Sequence, residues 1–279
     1  MKFVRFGAPG AETPGLLDDT GTLRDLSGVI DDLAGDALGD LAQFGDRAAT
    51  TLPPVPGTPR LGPCVGGTGK FLCIGLNYAD HAAEGGWDLP GEPVMFMKAT
   101  SAISGANDAI VIPRGAEKVD WEVELAIVIG RTAKYVSEEE APAHIAGYCI
   151  ANDVSERSFQ LERGGQWTKG KSCDGFGPLG PWLVTPDELG DVQALDIWLD
   201  VNGERMQSGT TGTMIFNTHH IVSYLSQFLT LYPGDVIATG TPPGVGLGMK
   251  PPRFLKPGDV VEAGIAGLGL QRQEVVADG

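Results

Sequence analysis

Two glutamates in an apolar segment are the residues of this chain with the clearest chemical potential. Glu122 and Glu124 lie two positions apart within residues 121–129, where the other side chains are apolar. On a β-strand, positions i and i+2 face the same side, so the two carboxylates would repel each other. A divalent cation would relieve that repulsion, because hard cations bind carboxylate oxygens. The spacing indicates a metal site, with the solvated end of an amphipathic strand as the alternative.

Three further residues extend this hypothesis. Asp153 ends the run 148–153, and acids on two strands can converge on one ion. His81 and Glu84 are three residues apart on a short predicted helix, within side-chain reach. A carboxylate beside an imidazole fixes its tautomer and raises its basicity, as a general base requires. An exposed histidine on a helix is the alternative interpretation of His81.

The composition excludes several classes of protein. The chain has 279 residues and a formal net charge of −16, which disfavours binding to nucleic acid or anionic membranes. No apolar stretch approaches the roughly 18 residues of a membrane span, and the N-terminus does not resemble a signal peptide. The four cysteines lack CxxC spacing, as is typical of reduced thiols. We therefore expect a cytoplasmic protein that acts on a small molecule.

Turn signals suggest how the chain is organised. Residues 51–63 contain five prolines and two glycines, which indicates a linker. We predict a small N-terminal α/β domain and linker at 1–60, and a larger domain at 61–279. The Pro-Gly-Asp-Val sequence at 233–236 recurs at 257–260, as in a coiled, barrel-like β architecture. The predicted fold class is strand-rich α+β, because regular βαβ alternation is absent.

Predicted elements follow from periodicity and end signals. We predict strands at 70–75, 94–97, 109–112, 119–129 and 147–151. Short helices are predicted at 77–84, 155–163 and 217–228, with another opening at 137–140. Asn77 or Asp80 would cap the first of these helices, and Gly85 and Gly86 would end it.

Six stretches, taken in order and spacing, resemble the fumarylacetoacetate hydrolase family. They are residues 74–84, 95–98, 120–125, 152–157, 167–172 and 234–242. The resemblance implies a mixed β-roll domain with a small N-terminal domain, and a homodimer. It also implies roles for individual residues: metal ligands Glu122, Glu124 and Asp153; catalytic residues His81, Glu84 and Lys171; substrate-binding residues Arg157, Gln160, Thr241 and Lys98.

The resemblance also implies a reaction. The metal would be Mg²⁺, with Mn²⁺ able to replace it, and the substrate an α-keto acid. Water activated by His81 and Glu84 would attack the distal carbonyl of a 2,4-diketo acid and release pyruvate. Residues 165–180 most resemble members that hydrolyse 2,4-diketo-3-deoxy sugar acids. Oxaloacetate-type decarboxylation, 2-hydroxyhepta-2,4-dienedioate isomerisation and ureidoglycolate lysis are alternatives. A non-catalytic binding protein is disfavoured, because both His81 and Glu84 are present.

Overall fold

The computed structural model describes residues 1–44, 51–86 and 88–279, with only the backbone described at positions 81 and 85. Its described strands are β1 (Lys2–Phe6), β2 (Thr13–Leu17), β3 (Leu23–Asp25), β4 (Phe71–Gly75), β5 (Val94–Lys98), β6 (Ile103–Gly105), β7 (Ile110–Ile112), β8 (Val119–Asp120), β9 (Val123–Ile129), β10 (Ile145–Asn152), β11 (Ser155–Glu156), β12 (Gly177–Val184), β13 (Asp196–Val201), β14 (Glu204–Thr210), β15 (Val236–Ala238), β16 (Val260–Ile265) and β17 (Gly269–Ala277). Its α-helices are α1 (Ala79–Gly85), α2 (Arg157–Leu161), α3 (Thr168–Lys171) and α4 (Thr218–Phe228).

Two large sheets form the framework. The ten-stranded sheet runs β3-β2-β1-β12-β10-β9-β15-β4-β5, with β6 added beside β12. The five-stranded sheet runs β14-β13-β16-β17-β7, and β8 pairs with β11 in a small ribbon. This strand-rich mixture with few helices agrees with the predicted α+β class.

Strand β9 lies between two hydrophobic cores. Val123, Leu125 and Ile127 belong to the core that also contains residues of the five-stranded sheet. Ala126 and Val128, on the opposite face, belong to a core with N-terminal residues such as Phe3. Both faces of β9 are therefore buried, which explains why its sequence is nearly continuously apolar.

The end of the sheet where β9 begins collects several strand ends. β10 and β15 run antiparallel to β9, and β4 runs parallel to β15. The first residues of β9 therefore lie beside the last residues of those three strands. Side chains far apart in sequence meet at this edge of the sheet.

Three predicted elements require correction. The predicted strand at 119–129 is interrupted, because β8 and β9 leave residues 121–122 between them. The predicted helix at 155–163 begins as strand β11, and α2 starts only after Glu156, whose carboxylate accepts from the Phe159 N–H at 2.6 Å. Ser137 and Glu140 make the contacts of a helix start, but only a short 3₁₀ turn follows.

The ends of two predicted helices are informative. The backbone of α1 ends at Gly86, which has a left-handed φ of 66°, so the predicted stop is confirmed. Neither predicted cap is used, since α1 begins after Tyr78 without a side-chain cap. Asn77 instead donates to the Phe216 and Thr239 carbonyls. Asn217 caps α4 by accepting from the His220 N–H at 2.8 Å.

The N-terminal strands join the main sheet through β1. Lys2 and Phe3 pair with Val184 and Leu183 of β12, so residues before the predicted boundary extend the ten-stranded sheet. The division at residue 60 stays a prediction. None of the described helices has the length and apolar character needed to cross a membrane.

Close packing of β10 against β12 leads to a stability prediction. A Cβ atom added at Gly147 would lie 2.3 Å from the Val184 carbonyl oxygen. Gly147→Ala should therefore lower the free energy of unfolding by about 1–3 kcal/mol, as overpacking does. Gly28→Ala is the matched control, because nothing lies within 4 Å of its added Cβ. Equal denaturant midpoints for the two variants would contradict the packing described here.

Candidate metal centre

Three buried carboxylates converge where β9 begins. Glu122, Glu124 and Asp153 each offer an oxygen, and these oxygens all lie within 4.8 Å of one another. Glu124 is opposite Ala151 in the β9–β10 register. The Asp153 N–H donates to the Glu122 carbonyl at 2.8 Å, which places Asp153 beside Glu122. The structure therefore brings together the acids that the sequence singles out.

Lysine and arginine side chains surround this cluster. The Lys171 Nζ atom lies 2.7 Å from Glu122 Oε2 and 2.6 Å from Asp153 Oδ2. Lys98 Nζ lies 2.5 Å from Asp153 Oδ1, and Arg157 Nη2 lies 2.6 Å from Glu122 Oε1. Buried carboxylates need such partners, since an isolated charge in an apolar interior is very costly.

The uneven distribution of these partners separates the two glutamates. Burial raises the pKa of Glu122, but Lys171 and Arg157 more than offset it, so its pKa lies below the ordinary value. Burial, with the charges of Asp153 and Glu122, holds the pKa of Glu124 well above its ordinary value. Burial lowers the pKa of Lys171, but Asp153 and Glu122 more than offset it and keep the ammonium charged.

Glu124 is the carboxylate most in need of a cation. Its Oε2 atom accepts from the Gly240 N–H at 2.7 Å, and no ion pair joins it to a lysine or arginine in the described part of the chain. The three converging ligands are all carboxylate oxygens, the donor type that Mg²⁺ and Mn²⁺ prefer. The residues present therefore fit a hard divalent cation.

A cavity of about 280 Å³ is lined by two of the carboxylates, Glu122 and Glu124. Its polar lining comprises Glu122, Glu124, Arg157, Gln160, Lys171 and Thr241. The remaining side chains are apolar: Ile74, Leu76, Phe96, Leu161, Trp167, Val245 and Leu247. A cavity of this size suits a small molecule with one charged end.

The predicted substrate-binding residues differ in whether they line the cavity and in which groups they already contact. Arg157 Nε donates to Asp120 at 2.8 Å and Arg157 Nη1 donates to Gln160 Oε1 at 3.1 Å, so this guanidinium also holds its neighbours. The Thr241 hydroxyl donates to the Val123 carbonyl at 2.9 Å. Lys98 is absent from the cavity lining described, and its ammonium is used by Asp153 and the Val154 carbonyl. A direct contact of any of these residues with substrate stays a prediction.

The predicted dyad is described only in part. The His81 side chain lies outside the described residues. Glu84 Oε2 accepts from the Gly244 N–H at 3.2 Å, which links α1 to the loop that carries Val245 and Leu247 into the cavity. The geometry of His81 with Glu84 therefore stays a prediction.

Two buried residues support the site and were not anticipated. Asp120 accepts from the Gly246 and Leu247 N–H groups at 2.7 and 2.9 Å, and it also holds Arg157. Its position close to Glu122, within the stretch 120–125, could have identified Asp120 as a site residue from the sequence. Gln207, on β14 of the other sheet, donates to Thr241 Oγ1 at 2.7 Å and accepts from the Val123 N–H. No sequence signal distinguishes Gln207 from other strand glutamines.

Comparisons with known proteins show similarity over most of the chain. The sequence profile described as fumarylacetoacetate (FAA) hydrolase C-terminal matches residues 70–276. A Burkholderia ambifaria protein, described only in general terms as a hydrolase, is 59% identical over 276 residues, covering 98% of both chains.

Solved structures align with the whole chain. A 5-carboxymethyl-2-hydroxymuconate delta-isomerase from Mycobacterium smegmatis is 34% identical, with a TM-score of 0.80 and 100% of both chains covered. A maleylpyruvate hydrolase from a Sphingobium species, in complex with manganese (II) ion and pyruvate, is 27% identical, with a TM-score of 0.83 and the same coverage. Both isomerisation and hydrolysis therefore occur on this fold.

The carboxylate cluster leads to a prediction about stability. Adding Mg²⁺ or Mn²⁺ to chelator-treated protein should raise the melting temperature, because an ion that binds only the folded state stabilises it by about 2.7 kcal/mol at 100 times its Kd. Glu124→Gln should abolish most of this shift. Glu139→Gln, which alters an exposed acid, should retain it. A full shift in Glu124→Gln would show that the ion binds elsewhere.

Proposed function

Because the chain belongs to the fumarylacetoacetate hydrolase family, we propose that it is a divalent-metal-dependent hydrolase that cleaves a C–C bond of a 2,4-diketo acid and releases pyruvate. The observation that carries this proposal is the buried cluster of Glu122, Glu124 and Asp153, of which Glu122 and Glu124 line a cavity. The manganese and pyruvate held by the related maleylpyruvate hydrolase support it. Mg²⁺ is the proposed ion, with Mn²⁺ able to replace it.

The cations around the site hold the reacting groups in place. When bound, the divalent ion would supply a Lewis acid that stabilises the enolate of the departing pyruvate. Lys171 fixes Glu122 and Asp153 by ion pairs of 2.7 and 2.6 Å, and we assign it a share in stabilising negative charge on the substrate. Arg157 holds Glu122 and Gln160, so that Gln160 can present its amide group to the substrate.

The proton transfer is assigned to α1. We propose that His81 removes a proton from the attacking water and that Glu84 holds the imidazole in the required tautomer. The hydrogen bond from the Gly244 N–H to Glu84 places this helix against the loop that lines the cavity. The base would thereby be carried next to the acyl part of the substrate.

The rest of the substrate distinguishes members of the diketo acid class. A 2,4-diketo-3-deoxy sugar acid is one proposal, which rests on the resemblance of residues 165–180. Of that segment, Trp167 and Lys171 line the cavity. A homodimer is proposed on the family resemblance alone, and sedimentation equilibrium would test it.

The dyad leads to a kinetic prediction. Glu84→Gln should lower kcat for pyruvate release from acetylpyruvate by about 10²-fold or more, the usual contribution of a general base. The amide oxygen can still accept from the Gly244 N–H, so the loop contact is kept. His81→Ala should lower kcat at least as much. Metal affinity should be unchanged in both variants, because the proposal assigns the ion to Glu122, Glu124 and Asp153.

Two outcomes would contradict the proposed mechanism or reaction. Near-normal turnover of His81→Ala would exclude the dyad as the base. Efficient turnover of oxaloacetate or of a dienedioate, with no cleavage of acetylpyruvate by the wild type, would replace hydrolysis by decarboxylation or isomerisation. Glu139→Gln serves again as the control for the loss of an exposed acid.

A further inference from the structure

The two ends of the cavity differ in chemistry. The carboxylates, Lys171 and Arg157 form one end, where a metal ion and the 2-oxo acid group of a substrate would lie. Apart from Gln160 and Thr241, the other lining side chains are hydrocarbon or aromatic. They range from Ile74, which is 1% exposed, to Leu161, which is 46% exposed. An acyl group that extends from the charged end toward solvent would therefore contact apolar surface.

Trp167 forms a fixed part of the apolar lining of the cavity. Its ring packs edge-to-face on Phe96, with centroids 5.3 Å apart. A Cβ atom added at Gly75 would lie 3.0 Å from the Trp167 ring, so the ring packs closely against the backbone at this glycine. A ring held from two sides presents a preformed apolar surface, which lowers the entropic cost of binding.

Leu76 and Leu247 line other parts of the same cavity. Leu76 has a left-handed φ of 54°, a conformation that bulky residues rarely adopt. Strain of this kind persists where surrounding structure requires it, often at ligand sites. The loop with Leu247 is fixed because Asp120 accepts from the Gly246 and Leu247 N–H groups. The apolar surface is therefore held in position by the backbone.

In the described lining, Gln160 and Thr241 are the polar side chains outside the charged end that a substrate hydroxyl could meet. Thr241 donates its proton to the Val123 carbonyl and accepts from Gln207. Gln160 uses its oxygen to accept from Arg157, which leaves its amide NH₂ group as a donor. A hydroxyl buried against the apolar side chains of the described lining would be unpaired, and each such hydroxyl would reduce binding by roughly 5- to 150-fold.

We propose that this cavity selects 2,4-diketo acids with an apolar acyl group, and that Trp167, Leu161 and Leu247 are specificity-determining residues. The inference rests on the proposed function, which it narrows from diketo acids in general to alkyl or aryl acylpyruvates. It is the rival of the sugar-acid proposal that rests on residues 165–180, and the two predict opposite preferences for substrate hydroxyls. Each methylene that enters the cavity should improve binding about fourfold.

The test compares acyl groups in the metal-saturated full chain. Acetyl-, propanoyl- and butanoylpyruvate should show kcat/KM rising about fourfold per methylene. Hydroxyacetylpyruvate, which has a hydroxyl in place of the terminal methyl of propanoylpyruvate, should be at least fivefold worse than propanoylpyruvate. A flat series, or a preference for the hydroxylated substrate, would overturn the proposal.

Variants of the apolar lining test whether it causes the preference for longer acyl groups. Leu247→Ala and Leu161→Ala should each lower the ratio of kcat/KM for butanoyl- over acetylpyruvate. Leu161 is the more exposed of the two, so its variant tests the proposal even if Leu247→Ala folds poorly. Leu270→Ala, at a residue 44% exposed and outside the cavity lining, should leave the ratio unchanged. An unchanged ratio in both cavity variants would contradict their role.

A binding measurement separates this inference from the proposed reaction. Straight-chain 2-oxo acids of increasing length lack the second carbonyl and cannot be cleaved in the same way. Calorimetry should show their affinity for the Mg²⁺-saturated protein rising about fourfold per methylene. If this holds while no acylpyruvate is cleaved, the hydrolase proposal fails and the apolar selectivity stands. If acylpyruvates are cleaved but affinity does not depend on length, the selectivity fails alone.

Discussion

The balance of buried charge is the constraint on which this site depends. Four buried carboxylates meet at one end of the main sheet: Asp120, Glu122, Glu124 and Asp153. Three buried cations face them: Lys98, Arg157 and Lys171. With all of these groups ionised, one negative charge is in excess, and Glu124 is the carboxylate without a cationic partner among the described residues. A divalent cation would reverse that sign, and the carboxylate of a keto acid would then neutralise the site. Metal and substrate therefore complement each other electrostatically.

The fold buries both faces of the strand next to which these charges are concentrated. Strand β9 is covered on one face by the core of the five-stranded sheet and on the other by the core containing N-terminal residues. Glu122 and Glu124 lie at the first residues of this covered region, where the cavity begins. The N-terminal strands, which add no side chain to the cavity lining described, still help to bury the strand that carries the ligands.

Signals between neighbouring residues could be recognised in the sequence, and contacts between distant segments could not. The spacing of Glu122 and Glu124, the helix pattern at 217–228 and the Gly86 stop are local patterns, and the structure contains all three features. The break at residues 121–122 was missed, because an apolar run does not reveal where pairing changes from β8 to β9. Gln207 reaches the site from another sheet, and Lys98 contacts Asp153 across 55 positions. Such contacts depend on topology, which a single sequence specifies only weakly.

The exchange of pyruvate methyl protons with solvent deuterium tests the central claim most directly. With Mg²⁺ or Mn²⁺ bound, the protein should accelerate this exchange, because polarising the 2-oxo group makes the methyl protons acidic. The exchange rate is measured by ¹H NMR in the presence of Mg²⁺. Chelation or Glu124→Gln should return the rate to that of the metal ion alone, while Glu139→Gln should keep it. Equally fast exchange in Glu124→Gln, or no acceleration by a protein that binds the metal, would contradict the assignment of Glu122, Glu124 and Asp153 as the catalytic metal centre.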